Sequence, residues 1–421
     1  MIKQILQSLP LLMIIASSCN NSNEQAKDKD SPNQKDSANY KEGTFGYDVN
    51  FLKQHDDVVV LQSDGGTSQV IVSPKYQAKV FTSTAEGNEG SSFGWVNYKA
   101  FTGPLNEHMN GYGGENRFWL GPEGGRFSLF FKPKAEMLFD NWKTPAPIDT
   151  EPWNVTTKSD VSVAMQKDMN LTNYNGTQMQ MHVDRTVNIL NRQQVAERVG
   201  VALDNSVKVV GYETKNILTN KGTTEWTEKT GMPCIWILDM FKPSPATTIV
   251  IPFKNAAGQP FNTVATTNYF GEIPADRIKH TDEVLYFKAD GNKRGKLGVL
   301  PGKVKPVAGS YDADNKVLTI TMFDVSPESK YLNQEWNTTK PAFSGDAMNA
   351  YNDGPLEDGT QMGPFYEIES VSPAAFLKPN ESLSHSHSVF HFTGSEAVLD
   401  AIAKKLFGVS LDQIKKAFQT L

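Results

Sequence analysis

The sequence predicts an all-β protein, with two large sheets packed face to face and short helices at its C-terminal end. Apolar and polar residues alternate over long stretches of the chain, as they do along half-buried strands. The 32 glycines and 23 prolines cluster between those stretches, where short turns and wide loops need them. Apolar residues at helical spacing stand out only after residue 394. Together these patterns are typical of antiparallel sheets.

The clearest strand is predicted at Gln178–Leu190. Its apolar residues at positions 179, 181, 183, 187 and 189 fall on one face, and the polar residues between them fall on the other. A period of two over that length indicates a half-buried antiparallel strand. Similar runs predict strands at residues 57–61, 69–73, 161–173, 247–253 and 283–288, and a hairpin at residues 311–323 with its turn at 312–315.

Two helices are predicted after the last strand. Ser395 can cap the first, which carries Val398, Leu399, Ile402 and Leu406 on one face and is closed by Gly408. Ser410 and Gln413 form a capping box for the second, whose apolar residues are Leu411, Ile414 and Phe418. We expect both helices to pack against a sheet.

The N-terminus predicts export. Lys3 precedes an apolar run at residues 5–16, and Ala16, Ser17 and Ser18 stand directly before Cys19. A charged start, a short apolar core and small residues describe a secretory signal that is too short to span a membrane. The small residues followed by Cys19 resemble the lipobox of bacterial lipoproteins, which implies cleavage before Cys19 and a lipid on its thiol. Plain secretion, with cleavage near Ser18, is the alternative.

The rest of the chain divides into a tether and one domain. Residues 20–43 carry almost no apolar side chain and are predicted to be disordered. We therefore expect a signal peptide at 1–18, a lipidated cysteine and tether at 19–45, a β domain at 46–393 and a helical tail at 394–421. Cys234, the other cysteine, lies in an apolar run and is predicted to be a buried side chain without reactivity.

Composition and motifs argue against several classes of function. The net charge of −6 and the lack of a basic stripe disfavour nucleic acid as a partner. After the signal, no stretch approaches the roughly 18 apolar residues of a membrane helix, so we expect membrane contact through the lipid alone. Nucleotide-binding, serine-hydrolase and zinc-protease motifs do not occur, and no cofactor is predicted. The sequence carries no signal for an oligomeric state.

A glycine-rich segment at residues 111–126 is the first candidate site. It contains Asn116, Arg117, Trp119 and Glu123. An amide, a guanidinium and a carboxylate can bind hydroxyl groups in several directions, and an indole offers a flat apolar face to a sugar ring. The segment therefore predicts carbohydrate as the ligand. A glycine-rich hairpin with a structural arginine–glutamate pair is the alternative.

Glu367 and Glu369 form the second candidate. On a strand they share one face, because side chains alternate. Two neighbouring carboxylates repel, which tends to raise one pKa and suits general acid–base chemistry. The alternative is that one carboxylate is solvated and the other pairs with an arginine.

Three histidines form the third candidate. Alternation places His385, His387 and His391 on one strand face, and a His-x-His pair can bind zinc. However, the chain contains only seven histidines, and no second cluster of His or Cys accompanies these three. We therefore predict hydrogen-bonded surface or inter-strand histidines, with a metal site as the weaker alternative.

These candidate segments resemble a known group of proteins. Residues 114–117 (Gly-Glu-Asn-Arg), 365–370 and 377–382 resemble the galactose-mutarotase-like (aldose 1-epimerase-like) superfamily, and residues 121–125, 230–236, 309–312 and 351–355 resemble an exported branch of it. The resemblance implies a β-supersandwich that binds sugar in an open cleft on one sheet. It also implies that Asn116 and Arg117 contact sugar hydroxyls and that Glu369 is the general base, with Glu367 beside it.

The chain departs from that superfamily in one respect. Mutarotases also use histidines in the first and middle parts of the domain, one of them as general acid, and residues 188–192 and 216–220 carry none. Loss of an acid costs roughly a hundred- to ten-thousandfold in rate. The resemblance thus implies sugar binding, and acid–base activity if another group, such as Glu123 or Tyr366, supplies the proton. The alternative is a non-catalytic module of the cell envelope that recognises polysaccharide or a protein assembly.

Overall fold

The structure, a computed structural model, describes residues 39–254 and 256–419. The predicted signal peptide, Cys19 and the tether up to residue 38 lie outside the described residues. The first helix begins at Phe45, and the hydroxyl of Tyr40 accepts a hydrogen bond from Asn88 (3.1 Å). The packed chain therefore includes residues from about Tyr40 onward, a few residues before the predicted start of the domain.

Strands are the main regular secondary structure of the described chain. In chain order they are β1 (Val59–Ser63), β2 (Ser68–Ser73), β3 (Lys79–Thr84), β4 (Arg117–Gly121), β5 (Asn154–Lys158), β6 (Ser162–Thr172), β7 (Gln178–Leu190), β8 (Val207–Asn220), β9 (Cys234–Phe241), β10 (Thr247–Pro252), β11 (Ala265–Thr266), β12 (Ile278–His280), β13 (Val284–Lys288), β14 (Gly295–Val299), β15 (Val307–Asp312), β16 (Val317–Phe323), β17 (Met348–Asn352), β18 (Tyr366–Val371) and β19 (Ser382–Gly394). The predicted strands and the predicted hairpin at β15–β16 are confirmed.

Two large antiparallel sheets and one small sheet are formed. The ten-stranded sheet has the order β12-β13-β10-β15-β16-β19-β8-β7-β6-β5, and the six-stranded sheet has the order β11-β14-β17-β18-β9-β4. Strands β1, β2 and β3 form the third sheet. The predicted all-β class is therefore confirmed, and the small third sheet is an addition that the sequence pattern did not predict.

The two large sheets share one apolar core. Along β7, buried and more exposed residues alternate over the whole strand, which is the predicted period of two. The buried face of β7 packs with the inner faces of β4, β9 and β18 in a single cluster that includes Met181, Val183, Phe118, Ile237 and Ile368. The other face of the six-stranded sheet is consequently free to carry a site. Cys234 is fully buried in this core, as predicted.

Helix α1 (Phe45–Leu52) packs on the small sheet, and the short helix α2 (Ala146–Asp149) lies beside β4. Three further helices, α3 (Arg192–Val199), α4 (Glu396–Phe407) and α5 (Leu411–Lys416), cover part of the outer face of the ten-stranded sheet. Both predicted C-terminal helices and their packing on the sheet are confirmed, as is the capping box of Ser410 and Gln413. The side chain of Ser395 does not cap α4, contrary to prediction. The prediction that helices are confined to the C-terminal end was wrong, because α1, α2 and α3 precede them.

None of the helices in the described parts of the chain is long and apolar enough to cross a membrane.

Candidate functional site

Strand register places the candidate residues on the outer face of the six-stranded sheet. Residues paired directly across an antiparallel ladder point to the same side of the sheet. Arg117 pairs with Leu238, Leu238 with Glu369, and Met240 with Glu367. Glu367 also pairs with Tyr351, which in turn pairs with Lys296. The side chains of these paired residues therefore meet on one surface, together with those of Trp119 and Trp236.

A cavity of about 460 Å³ lies over this surface. Its floor is formed by side chains of β4, β9, β14, β17 and β18, and its walls by loops that include residues 97–111, 139–142, 270, 336 and 362. That volume is within the range of roughly 300–1,000 Å³ found for small-ligand sites. We refer to this cavity as the cleft.

Two glycines of the segment 111–126 allow the chain to build this cleft. Gly113 has a φ of 81°, and a Cβ there would lie 2.3 Å from the carbonyl oxygen of Trp95, so a residue with a side chain does not fit. A Cβ on Gly124 would lie 2.2 Å from the carbonyl oxygen of Glu335. That close approach brings Glu123 to Trp336, whose side chain hydrogen-bonds the carboxylate.

Arg117 lies on the cleft floor, on the edge strand β4. Its Nη2 donates a hydrogen bond to Oε1 of Glu367, and both side chains are more than nine-tenths buried. The guanidinium carbon lies 5.2 Å from the ring centroid of Trp119. The Nε of Arg117 has no hydrogen-bond partner among the described residues, so it retains a donor for another group. The predicted pairing of one glutamate with an arginine is confirmed for Glu367.

Glu369 lies beneath the cleft surface. Its Oε2 accepts hydrogen bonds from Nε1 of Trp236 (2.8 Å) and Nζ of Lys296 (3.0 Å). Trp236 and Lys296 line the cleft, whereas Glu369 is fully buried and does not. The structure thus places Glu369 behind Lys296, where it can position the ammonium group but does not itself face the cavity. Neither glutamate is solvated, so that part of the alternative prediction was wrong.

The carboxyl groups of the cleft have unusual proton affinities. Burial raises the pKa of Glu367 to about 8, and the charge of Glu369 adds to this, against the opposing effects of Arg117 and Lys296. Burial also raises the pKa of Glu123. Burial alone would lower the pKa of Lys296, but the nearby glutamates outweigh it and raise that pKa. The surroundings of Glu367 thus favour its protonated form, and those of Lys296 favour its charged form.

Aromatic side chains provide the remaining surface of the cleft. Four of the chain's seven tryptophans line it: Trp119, Trp142, Trp236 and Trp336. The Trp142 ring is stacked near Trp336 (centroids 5.8 Å apart) and near Phe139 (6.2 Å). The indole N–H groups of Trp119 and Trp142 are buried and have no partner among the described residues. The predicted site residues Trp119 and Glu123 thus both lie in the cleft.

Asn116 does not reach the cleft. Its side chain is fully buried on the inner side of the sheet, where Nδ2 donates to Asp239 (2.7 Å) and Oδ1 accepts from Nη2 of Arg185 (2.6 Å). Because successive side chains on extended chain point to opposite faces, Asn116 and Arg117 cannot both face the cavity. The prediction of Asn116 as a direct ligand of the sugar was therefore wrong.

The three histidines also lie on the inner side. His385 and His387 both hydrogen-bond Oγ of Ser370 (2.8 Å each), and Nε2 of His387 lies 2.7 Å from Asp239. His391 contacts Thr319 and Glu115 in the same interior. The histidines are therefore hydrogen-bonded between strands, which was one of the two predicted arrangements, whereas the surface position, the other one, was wrong because all three are buried.

Their surroundings do not form a site for chemistry. Ser370, His387 and Asp239 are connected in the order of a hydrolase triad, but all three are fully buried between the sheets and a substrate cannot approach them. Within the described residues, no group of three or more His, Cys, Asp or Glu side chains is arranged to hold a metal ion. Burial lowers the pKa of His385 to about 3, so this imidazole is neutral.

Several cleft residues were not predicted from the sequence. Lys296 and Arg294 belong to a short strand region without a recognisable motif, and the Arg294 guanidinium lies 3.8 Å from the ring centroid of Phe270. Trp142 and Trp336 lie in loops far apart in the chain. Trp236 could have been found, because alternation along residues 234–241 places it on the same face as Leu238 and Met240.

A family model described as "Family of unknown function (DUF6786)" matches residues 43–418. No protein with a curated description matches the chain in sequence.

Similar solved structures cover most of the chain. A putative aldose 1-epimerase from Escherichia coli is 12% identical, with 79% of this chain and 98% of that chain covered and a TM-score of 0.47. A protein from Synechocystis is also 12% identical, with coverages of 81% and 97% and a TM-score of 0.48. A galactose mutarotase-like protein from Lactobacillus casei is 9% identical, with coverages of 79% and 99% and a TM-score of 0.44. Two of these three structures are described as a putative aldose 1-epimerase and a galactose mutarotase-like protein, names that belong to the group that the motifs resemble.

Proposed function

The chain belongs to DUF6786, a family of unknown function, and we propose from its cleft that it binds a carbohydrate. The observation that carries the proposal is the composition of the cleft surface. Charged hydrogen-bonding groups form its floor, and flat aromatic rings surround them. A sugar ring has the matching character, with hydroxyl groups around its edge and apolar C–H groups on its faces. Arg117 and Glu123 can bind hydroxyls while an indole such as Trp119 stacks on the ring.

Buried polar atoms without partners support the same ligand. Nε of Arg117, the indole nitrogens of Trp119 and Trp142, and Oε1 of Glu369 lie at or just below the cleft and lack a hydrogen-bond partner among the described residues. Buried polar groups in folded proteins are nearly always satisfied, so such a concentration in one place needs an explanation. Hydroxyl groups, which donate and accept, can complete those bonds that open to the cavity.

The charges of the cleft also favour an uncharged polar ligand. Arg117 lies against the carboxyl group of Glu367, and Lys296 lies against that of Glu369. Because each of these two cations is paired in this way, the floor does not present them as a cluster of unpaired cations of the kind that attracts nucleic acids or polyphosphates. In each of these two pairs, Arg117 with Glu367 and Lys296 with Glu369, one side chain fixes the position of the other.

Tryptophan fluorescence measures binding directly, because four indoles line the cleft. We expect one or more sugars to change the emission in a saturable manner. Arg117→Ala should weaken that binding by roughly ten- to a hundredfold, the contribution of a hydrogen bond to a charged group. Arg126→Ala is the matched control, because Arg126 also lies over an aromatic ring, Phe127, but does not line the cleft. Equal affinities for both variants and the unmodified chain would contradict the assignment of Arg117.

A second candidate function is acid–base isomerisation of the bound sugar. The specific observation in its favour is that Glu367 lines the cleft in surroundings whose burial raises the pKa of its carboxyl group, so that it can act as a proton donor. Carboxyl groups whose environments differ in this way are typical of acid–base sites. Glu367 would protonate the ring oxygen while Glu123 removes the proton from the anomeric hydroxyl, and the bond between C1 and the ring oxygen would break. Glu369, which does not face the cavity, would position Lys296.

Exchange between sugar anomers, measured by NMR, tests this second candidate. We expect Glu367→Gln to slow catalysed exchange by roughly a hundred- to ten-thousandfold. The rate in the unmodified chain should fall as pH rises through about 8, because Glu367 then loses its proton. Binding without any accelerated exchange would leave a recognition protein, the alternative that the sequence also allows.

We further propose that the protein is exported and anchored through a lipid on Cys19. Residues 1–19 carry this proposal, and they lie outside the described part of the chain. Metabolic labelling with an alkyne fatty acid should modify the expressed chain, and Cys19→Ser should abolish the label. An unlabelled chain in a bacterial host would overturn the proposal, whatever the cleft binds.

A further inference from the structure

Exposed apolar side chains gather around the mouth of the cleft. Most of the large hydrophobic residues that are exposed within the described chain lie on loops that also contribute to the cleft: Leu105, Leu138, Phe139, Phe270, Leu356 and Met362. Phe139 is 58% exposed and Phe270 is 47% exposed, although both line the cavity. Concentrated exposed apolar surface of this kind marks a binding site rather than ordinary surface.

Phe139 and Phe270 lie at opposite edges of the six-stranded sheet. A series of ring contacts connects Phe139 to the edge strand β4. Phe139 contacts Trp142, and Trp142 stacks near Phe130. Phe130 in turn contacts Trp119, which belongs to β4. Phe270 follows β11 at the other edge and lies near Tyr351, with the Arg294 guanidinium over its ring. The exposed rings therefore flank the charged floor on two sides.

The floor between them is long. Lining residues extend from Arg117 and Trp119 on β4 to Lys296 on β14, which is four strand spacings away in the sheet. At about 4.8 Å for each spacing, the floor extends for about 19 Å. A single pyranose ring covers only a part of that length.

The charged floor selects among possible occupants. An apolar helix or a lipid chain would cover the exposed rings, but it would also bury Arg117, Lys296 and Glu123 without offering them hydrogen bonds, which is costly. A chain of sugars offers apolar ring faces to the aromatic groups and hydroxyls to the charged groups along its whole length. The described surface therefore fits an oligosaccharide better than a protein or lipid partner.

We infer that the cleft takes an oligosaccharide of several linked units, with one unit over Arg117 and Glu367 and others against Phe139 and Phe270. This inference rests on the proposed carbohydrate function and deepens it by assigning the size of the ligand. The aromatic groups at the two edges supply the outer subsites, and the charged floor supplies the central one.

Calorimetric titration of the purified full chain with sugars of increasing length tests the inference. The probes are glucose, galactose and xylose, with their β-1,4-linked di-, tri-, tetra- and pentasaccharides. In the series that binds, affinity should rise at least tenfold from the single sugar to the longer oligomers and then level off. Phe139→Ala and Phe270→Ala should each remove about three- to tenfold of that gain, the contribution of one aromatic contact, so each variant should lose more affinity for the oligomers than for the single sugar.

Phe376→Ala is the matched control. Phe376 is also an exposed phenylalanine that packs on a neighbouring ring, Phe343, but it lies outside the cleft. A single sugar that binds as tightly as its oligomers would overturn the inference while leaving the proposed function intact. Equal losses for the single sugar and the oligomers in the two aromatic variants would also overturn it. Failure of every probe to bind would contradict the proposed function itself, and the inference with it.

Discussion

Asn116 and Arg117 are neighbours in the chain but belong to different parts of the molecule. The glycines and mixed polar groups of residues 111–126 predicted a candidate site there, and only the resemblance implied that this segment meets the glutamates. In the structure Arg117, Trp119, Glu123 and Glu367 line one cleft. It could not predict that Asn116 faces the core, because alternation separates two faces without showing which one is buried. That choice is made by the ten-stranded sheet, whose Arg185 binds the amide of Asn116.

The environment of Glu367 makes the stability of the protein depend on pH. Burial raises the pKa of this carboxyl from 4.5 to about 8, so between these values the native state holds a proton that the unfolded chain releases. Its contribution to stability is therefore fully present below pH 4.5 and is lost as pH rises through about 8. Glu367→Gln has no proton to lose, so its free energy of unfolding should fall less steeply with pH between these values than that of the unmodified chain. The two slopes should differ by up to about 1.4 kcal/mol per pH unit.

Urea denaturation at pH 5, 6.5 and 8 measures this difference in slope. Glu228→Gln provides the control, because Glu228 is an exposed glutamate paired with Lys330. The same pH slope in Glu367→Gln and the unmodified chain would show that Glu367 is ionised throughout and would contradict its role as proton donor.

At the scale of elements, a polar network joins the inner faces of the two large sheets. Asp239 on β9 contacts His387 on β19 at 2.7 Å, and both side chains are fully buried.

Asp239→Ala would leave the imidazole without its partner, and we expect it to lower the free energy of unfolding by roughly 3–5 kcal/mol. Asp184→Ala is the matched control, because Asp184 contacts His182 at the surface and half of its side chain is exposed. This variant should lower the free energy of unfolding by less than about 1 kcal/mol. Similar costs for the two variants, measured by urea denaturation, would show that the network does not stabilise the sheets.

Elements with a strong repeating pattern were predictable, and those without one were not. Strand β7 shows its period of two over the whole of its length, so its existence and buried face followed from the sequence. Helix α3 was missed because Val195 and Val199 are its only buried residues, although Asn191 and Gln194 form a capping box at its start. The loops carrying Trp142 and Trp336 have no local pattern that shows they meet, because their contact depends on how the sheets are connected.

At the scale of the whole molecule, a ligand of the cleft should stabilise the entire domain. The cleft floor is formed by five strands of one sheet, and the other face of that sheet packs in the common core. A sugar that binds only the folded chain should therefore raise the free energy of unfolding by about 2.7 kcal/mol at a concentration of a hundred times its Kd. A thermal unfolding scan with and without the sugar measures this as a rise in Tm. Arg117→Ala should lose most of the rise at the same sugar concentration, while a rise that persists in this variant would indicate binding elsewhere.

Saturation-transfer NMR of the purified chain with a broad panel of mono- and oligosaccharides tests the central claim most directly. The carbohydrate assignment predicts that at least one sugar series receives saturation from the protein. An excess of a second sugar of that series should compete with the first and remove its signal. Arg117→Ala should reduce the signal, whereas Arg126→Ala should not. If no sugar in the panel receives saturation from the folded chain, the cleft does not bind carbohydrate and the proposed function is wrong.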